Sequence, residues 1–176
     1  SSSSSSSGSG GEWTLGESNS TLDVSKMSAS TASNTKVAAL MEKDSSALPK
    51  SFNANHKTGD VGNAYEFGQC TWWVYVRRTQ LGLPVGSYLG DGRMWADSAK
   101  SLGYWVDGTP RHKGDIIVFA AGQAGADSTY GHVAIVESIG SDGSVVTSET
   151  NAGMSGKTYN RTFTASEASA FRYIHY

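Results

Sequence analysis

The order of residue patterns along the chain predicts an α+β fold: two helices first, then a meander of short strands closing an antiparallel sheet. Three observations carry this reading. Residues 70–81 (CTWWVYVRRTQL) form one helical run, ended by Gly82 with Pro84 just beyond. Residues 93–102 form a second, which Asp91 can cap, in which Trp95, Ala99 and Leu102 share a face, and which Gly103 ends. Strand-like runs then follow turn residues: 115–120 (DIIVFA) after His112-Lys113-Gly114, His132–Ile139 after Gly131, and 144–150 (SVVTSET) after Ser141-Asp142-Gly143. Shorter strands are expected over 158–164 and 171–175. Nothing alternates strand and helix as a doubly wound fold does.

Ahead of this lies a different texture. Residues 1–60 hold 17 of the 28 serines but only two of the 18 aromatics, Trp13 and Phe52. A segment so poor in aromatic and branched apolar residues buries too little surface to offset its ordering entropy. Residues 1–58 are therefore expected to be a serine-rich, low-complexity extension that opens on the Ser1–Gly11 run, and 59–176 the folded domain. One island, 36–44 (KVAALMEKD), sets Val37, Leu40 and Met41 at helical spacing and predicts a short helix. Its apolar edge is a candidate to dock on the domain or on a neighbouring molecule, as a latch near the groove.

Composition removes several function classes. The formal net charge of −2 over 176 residues leaves no basic footprint for nucleic acid. No apolar run approaches the ~18 residues of a membrane span. A single cysteine forms no internal disulfide, so Cys70 is expected to be a free thiol, inert or reactive.

Cys70 sits at the expected start of a helix, where unpaired backbone N–H groups and the helix dipole favour a thiolate. His132 opens a strand, pointing with Ala134 and Val136, while Val133, Ile135 and Ile139 point the other way. Glu149 and Asn151 lie two apart on the next strand and so share a face. A hairpin turning near Asp142 brings that region opposite His132. Either side chain could accept a hydrogen bond from Nδ1–H and hold the ring. Together these make the nucleophile, base and orienter of cysteine acyl transfer.

Four ordered blocks make the sequence recognisable: 63–74 (NAYEFGQCTWWV), 113–119 (KGDIIVF), 131–137 (GHVAIVE) and 149–151 (ETN). Over residues 60–176 the chain resembles the CHAP family, the cysteine, histidine-dependent amidohydrolase/peptidases. The resemblance implies a papain-like fold, related to NlpC/P60 hydrolases, in which a Cys-bearing helix packs on a sheet bearing the His. It implies a secreted bacterial enzyme that cleaves peptidoglycan amides in wall remodelling, cell separation or lysis. An endopeptidase of the stem or cross-bridge peptide is favoured on family grounds; an N-acetylmuramoyl-L-alanine amidase is the alternative, and a non-catalytic wall-associated module the runner-up. By position, Cys70 matches the nucleophile, His132 the base, Glu149 the third residue and Asn151 an additional polar residue. The Lys113-Gly114-Asp115 block matches a structural turn. The Cys70 amide is the simplest oxyanion donor, with Gln69 and Tyr65 as further candidates. Trp72, Trp73, Trp95 and Tyr130 are candidates to line a substrate groove.

No cofactor is expected. His56, His112 and His175 lack metal-ligand spacing, which argues against zinc. Only Asp60 and Glu66 closely precede Cys70, so the acidic calcium loop of some phage relatives is not expected. The sequons at Asn19 and Asn160 carry little information.

Overall fold

The computed structural model describes residues 34–50, 52–53 and 56–176; the Ser1–Gly11 run, Trp13 and Asn19 lie outside them. The elements in order are helix α1 (Thr35–Lys43), helix α2 (Cys70–Gln80), a 3₁₀ turn (Gly92–Met94) leading into helix α3 (Trp95–Leu102), then strands β1 (Val106–Asp107), β2 (Ile116–Phe119), β3 (His132–Ile139), β4 (Val145–Glu149) and β5 (Tyr159–Phe163), helix α4 (Ala165–Ala168) and strand β6 (Arg172–Ile174). The strands form one sheet in the order β1-β6-β2-β3-β4-β5, and every neighbouring pair is antiparallel. This is the α+β architecture that the residue patterns predict.

Alternation along the central strands gives the sheet two apolar faces. On one, Val74 and Tyr75 of α2 pack with Trp95, Ile116, Val118, Val133, Ile135 and Ile174. On the other, Ile117, Phe119, Ala134 and Val136 pack with Phe163, Phe171, Tyr173 and Ala168 of α4. Each fully buried side chain of this size contributes about 1.5–3 kcal/mol, so a one-residue slip of any central strand is strongly disfavoured. One departure from simple alternation matters. The β3–β4 register shifts between Val136 and Ser138. The extra residue turns Ile139 onto the Phe119 face, not the Val133 face where uninterrupted alternation places it.

The second helix also differs from expectation. The chain enters it through the 3₁₀ turn, and the Asp91 side chain caps nothing. Two short elements carried no strong pattern. β1 has two residues, and α4 has four, opened by a reciprocal capping box between Thr164 and Glu167.

Residues 34–48 are built into the domain. Asn34 caps α1 by accepting from the amides of Lys36 (2.8 Å) and Val37 (3.2 Å), and its amide donates to the Gly82 carbonyl at 2.9 Å. Val37 is fully buried with Trp105 and Tyr176, flanked by Leu40, Met41, Leu48 and Phe52. This docking lies where β6 leaves the sheet. Ile174 pairs with Ile116 at one end of β2, whereas His132 pairs with Phe119 at the other. The helix therefore packs at the opposite end of the sheet from His132, which corrects the expectation of a latch near the groove.

Candidate active site

Cys70 is the first residue of α2, following an extended Gln69 whose carbonyl accepts the Trp73 amide at 3.2 Å. It is partly exposed and unpaired by any disulfide. A polar clamp fixes the helix against the sheet. Arg77 donates from Nε and Nη2 to the two oxygens of Glu137 on β3, each at 2.8 Å. Ser148 of β4 donates to the same carboxylate at 2.6 Å and accepts from Trp73 Nε1 at 3.1 Å. A bidentate Arg–carboxylate pair resists rotation as well as separation, so α2 is held in register with β3 and β4.

His132 opens β3 and is buried, its ring packed at 5.4 Å from that of Phe119. Close backbone approach sets its position. A Cβ built on Gly92 would lie 2.7 Å from the His132 nitrogen, and one on Gly131 would lie 2.7 Å from the Arg93 backbone. Only glycines permit this contact, which the Arg93 amide closes by donating to Tyr130 at 2.8 Å.

His132 Nε2 lies 2.9 Å from Glu149 Oε1. Cys70 also acts on the ring, and with Nε2 committed to Glu149 the nitrogen left for the thiol is Nδ1. The two ring nitrogens are thus exchanged relative to the arrangement expected from sequence, where Nδ1 faced the acceptor. Glu149, not Asn151, is the residue that touches the imidazole. Burial alone would lower the His132 pKa, but the hydrogen bonds and negative charge of Cys70 and Glu149 prevail and push it up to about 9.

Glu149 is fully buried at the end of β4. Burial would raise its pKa; hydrogen bonds from His132, Arg161 and Thr147 instead bring it down to about 2. Arg161 of β5 holds it bidentately, Nε to Oε2 and Nη2 to Oε1, both at 2.8 Å. The Thr147 hydroxyl donates to Oε2, and the Tyr159 hydroxyl donates to Oε1 at 3.2 Å. The Arg161 guanidinium also lies over the rings of Phe119 and Phe163.

The other sequence candidates divide. Asn151 is exposed and donates to the Tyr159 hydroxyl at 3.0 Å, one bond removed from Glu149. Tyr65 gives its hydroxyl proton to the Gly86 carbonyl at 2.7 Å and accepts from the Leu89 amide, so it has no donor left for an oxyanion. Gln69 adjoins Cys70, and its side chain makes no capping bond. Trp72, Trp73 and Trp95 are core residues with no face open for stacking: alternate helix faces of α2 both meet packed neighbours, and Trp95 lies under Tyr65. Tyr130 is exposed, two residues before His132, and so is Phe67, three residues before Cys70. Sequence reasoning missed Phe67, Thr147, Tyr159 and Arg161. Period-2 alternation placing Tyr159, Arg161 and Phe163 on one face was the available signal.

Residues 60–151 match the family model described as the CHAP domain. The chain is 46% identical over 110 residues to an N-acetylmuramoyl-L-alanine amidase domain-containing protein of Staphylococcus aureus, covering 62% of this chain and 18% of that protein. It is 40% identical over 124 residues to the probable autolysin SsaALP of the same species, covering 70% and 44%. A crystal structure of an N-acetylmuramoyl-L-alanine amidase from Staphylococcus aureus superposes with a TM-score of 0.58 at 45% identity, over 61% of this chain and 30% of that one. The chain thus spans less than half the length of these relatives. A helix-borne cysteine set against a strand-borne histidine on an antiparallel sheet, with the family model matching across both, makes this chain a member of the CHAP domain family.

Proposed function

We propose that the chain hydrolyses an amide bond of peptidoglycan by a thiol mechanism. The observation that carries this is the buried His132–Glu149 pair, joined at 2.9 Å, whose imidazole pKa is raised by both Glu149 and the Cys70 side chain. The Cys70 sulfur adds to the amide carbonyl, and the tetrahedral oxyanion accepts from the Cys70 backbone N–H, with the Gln69 side chain within one residue as a second donor. His132 Nδ1–H protonates the departing amine, and the C–N bond breaks to leave a thioester. The same nitrogen then takes a proton from water, whose oxygen attacks the thioester and expels the thiolate as the free acid forms. Glu149 stays ionised throughout and fixes the ring through Nε2; Asn151 acts on Glu149 only through Tyr159. Tyr130 and Phe67, two residues before His132 and three before Cys70 in the chain, offer exposed rings for the substrate to pack on.

The scissile bond in this reading is a peptide bond of the stem or cross-bridge. The names of the relatives favour a second reading, cleavage between the lactyl sugar and the first amino acid. Because the substrate lies outside the membrane, the enzyme acts as an exported, wall-associated hydrolase. Incubating the chain with purified cell walls and analysing the soluble fragments by mass spectrometry tests all of this. New amino-acid ends support the endopeptidase, and free lactyl-sugars support the amidase. Undiminished release by Cys70→Ala or by the alkylated protein would overturn the mechanism, and no release by the unmodified chain would favour a wall-binding module.

A further inference from the structure

Far along the chain from Cys70, the fold gathers a second set of titratable groups that the proposed mechanism leaves unused. Asp115 is buried at the start of β2, its Oδ2 accepting the backbone amides of Arg111 (2.7 Å) and His112 (2.9 Å). Two imidazoles turn their Nδ1 atoms toward it. His112 Nδ1 lies 3.0 Å from Oδ1, and His175 Nδ1 lies 3.0 Å from Oδ2. His175 is 1% exposed, and its Nδ1, though 3.0 Å from the carboxylate, makes no aligned hydrogen bond. The outer nitrogen of each ring is held by a further carboxylate: His112 Nε2 by Asp44 at 2.6 Å, and His175 Nε2 by Asp107 at 2.7 Å.

We propose that His112, Asp115 and His175 bind a divalent transition-metal ion of the zinc type. Three features support it. The donors are two imidazole nitrogens and one carboxylate oxygen, which suit zinc, and all lie within 4.8 Å of one another. Ligands ~2.0–2.1 Å from a tetrahedral zinc stand about 3.3 Å apart, and each Nδ1 already lies 3.0 Å from one oxygen of Asp115, His112 from Oδ1 and His175 from Oδ2, so whichever oxygen ligates keeps one such edge while the other ring moves in. Finally, a metal-ligating histidine characteristically gives its other N–H to a carboxylate, which fixes tautomer and ring orientation; both rings are held that way, by Asp44 and Asp107. His112 is the partly exposed member and opens the path of entry. Because Asp44 caps the C-terminal end of α1, a bound ion ties the N-terminal segment to the C-terminus of the chain.

This inference is independent of the proposed hydrolysis. It is tested on the full chain carrying Cys70→Ala, which removes the thiol as a competing ligand. Calorimetric titration with Zn²⁺ is expected to give one ion per chain, and Co²⁺ to give visible ligand-field absorption. His112→Ala weakens binding by about 100-fold and Asp44→Asn by about 10-fold, as loss of a ligand and of its outer partner should. Zn²⁺-induced shifts of the His112 and His175 ring nitrogens in NMR spectra of the Cys70→Ala chain report the same site without altering a ligand. Absence of saturable binding, or binding that leaves those ring resonances unmoved, overturns the proposal.

Discussion

Replacing Glu149 by Gln removes one negative charge and almost no volume, which makes it the sharpest probe of the site. The carboxylate takes hydrogen bonds from His132, Tyr159, Thr147 and both arms of Arg161. Its pKa falls from 4.5 to about 2, a difference of 2.5 that at 1.36 kcal/mol per unit is about 3 kcal/mol. The lowered pKa means that this contribution is complete above pH 4.5 and is lost as the pH falls toward 2. Glutamine forfeits it at neutral pH and sets an NH₂ group against the donors of Arg161 or Thr147, at about 1–3 kcal/mol more. Relief of the buried carboxylate's desolvation offsets part of that. A net loss of about 2–4 kcal/mol is expected in urea unfolding at pH 7. The effect on chemistry has its own signature. Glu149 is one of the two groups that raise His132, so the alkaline limb of kcat/KM on soluble wall fragments, expected near pH 9, moves down by at least about one unit, with kcat reduced about 10²–10⁴-fold. A variant that loses stability but keeps both the alkaline limb and kcat would refute the assignment of Glu149 as the residue that governs the base.

Three further outcomes are expected. In the unaltered chain His132 is raised from 6.5 to about 9, so its share of stability is complete below pH 6.5 and fades as the pH rises through 9, which a pH series of urea midpoints detects. Gly92→Ala forces a methyl to within 2.7 Å of the His132 backbone and should cost about 1–3 kcal/mol, together with a fall in kcat measured on the same fragments. Deleting residues 1–48 uncovers Trp105 and Tyr176 and removes the buried Val37, for a loss of about 2–4 kcal/mol by thermal unfolding, while kcat/KM is retained because that surface lies at the other end of the sheet from His132.

The elements that could be read from sequence are those whose pattern is local. Cys70–Gln80 ends at glycine and proline, and His132–Ile139 starts after glycine and alternates for five residues, so both lie close to the expected bounds. What escaped was created by the third dimension. The bulge at Glu137 reverses Ile139, and no residue type announces it. Trp72 and Trp73 point apart on α2, yet both are buried, because Phe67 covers one and β4 the other. Nothing beside Arg161 in the chain names its partner; the β4–β5 register sets it opposite Thr147, beside Glu149. His112 and His175 are far apart in the chain and meet only because β6 returns between β1 and β2.

The position of β5 at the margin of the sheet governs how the proposed activity would fail. Among the described residues it is an outermost strand paired only with β4, and its first four residues alternate between partly buried and exposed before Phe163 enters the core. Such margins open at lower free energy than the interior strands that hold the two cores. Yet Tyr159 and Arg161, which steady the carboxylate behind His132, ride on that margin. Warming should therefore silence catalysis by peeling one strand while α2, β2 and β3 remain folded, so that loss of turnover comes degrees before loss of structure and reverses on cooling.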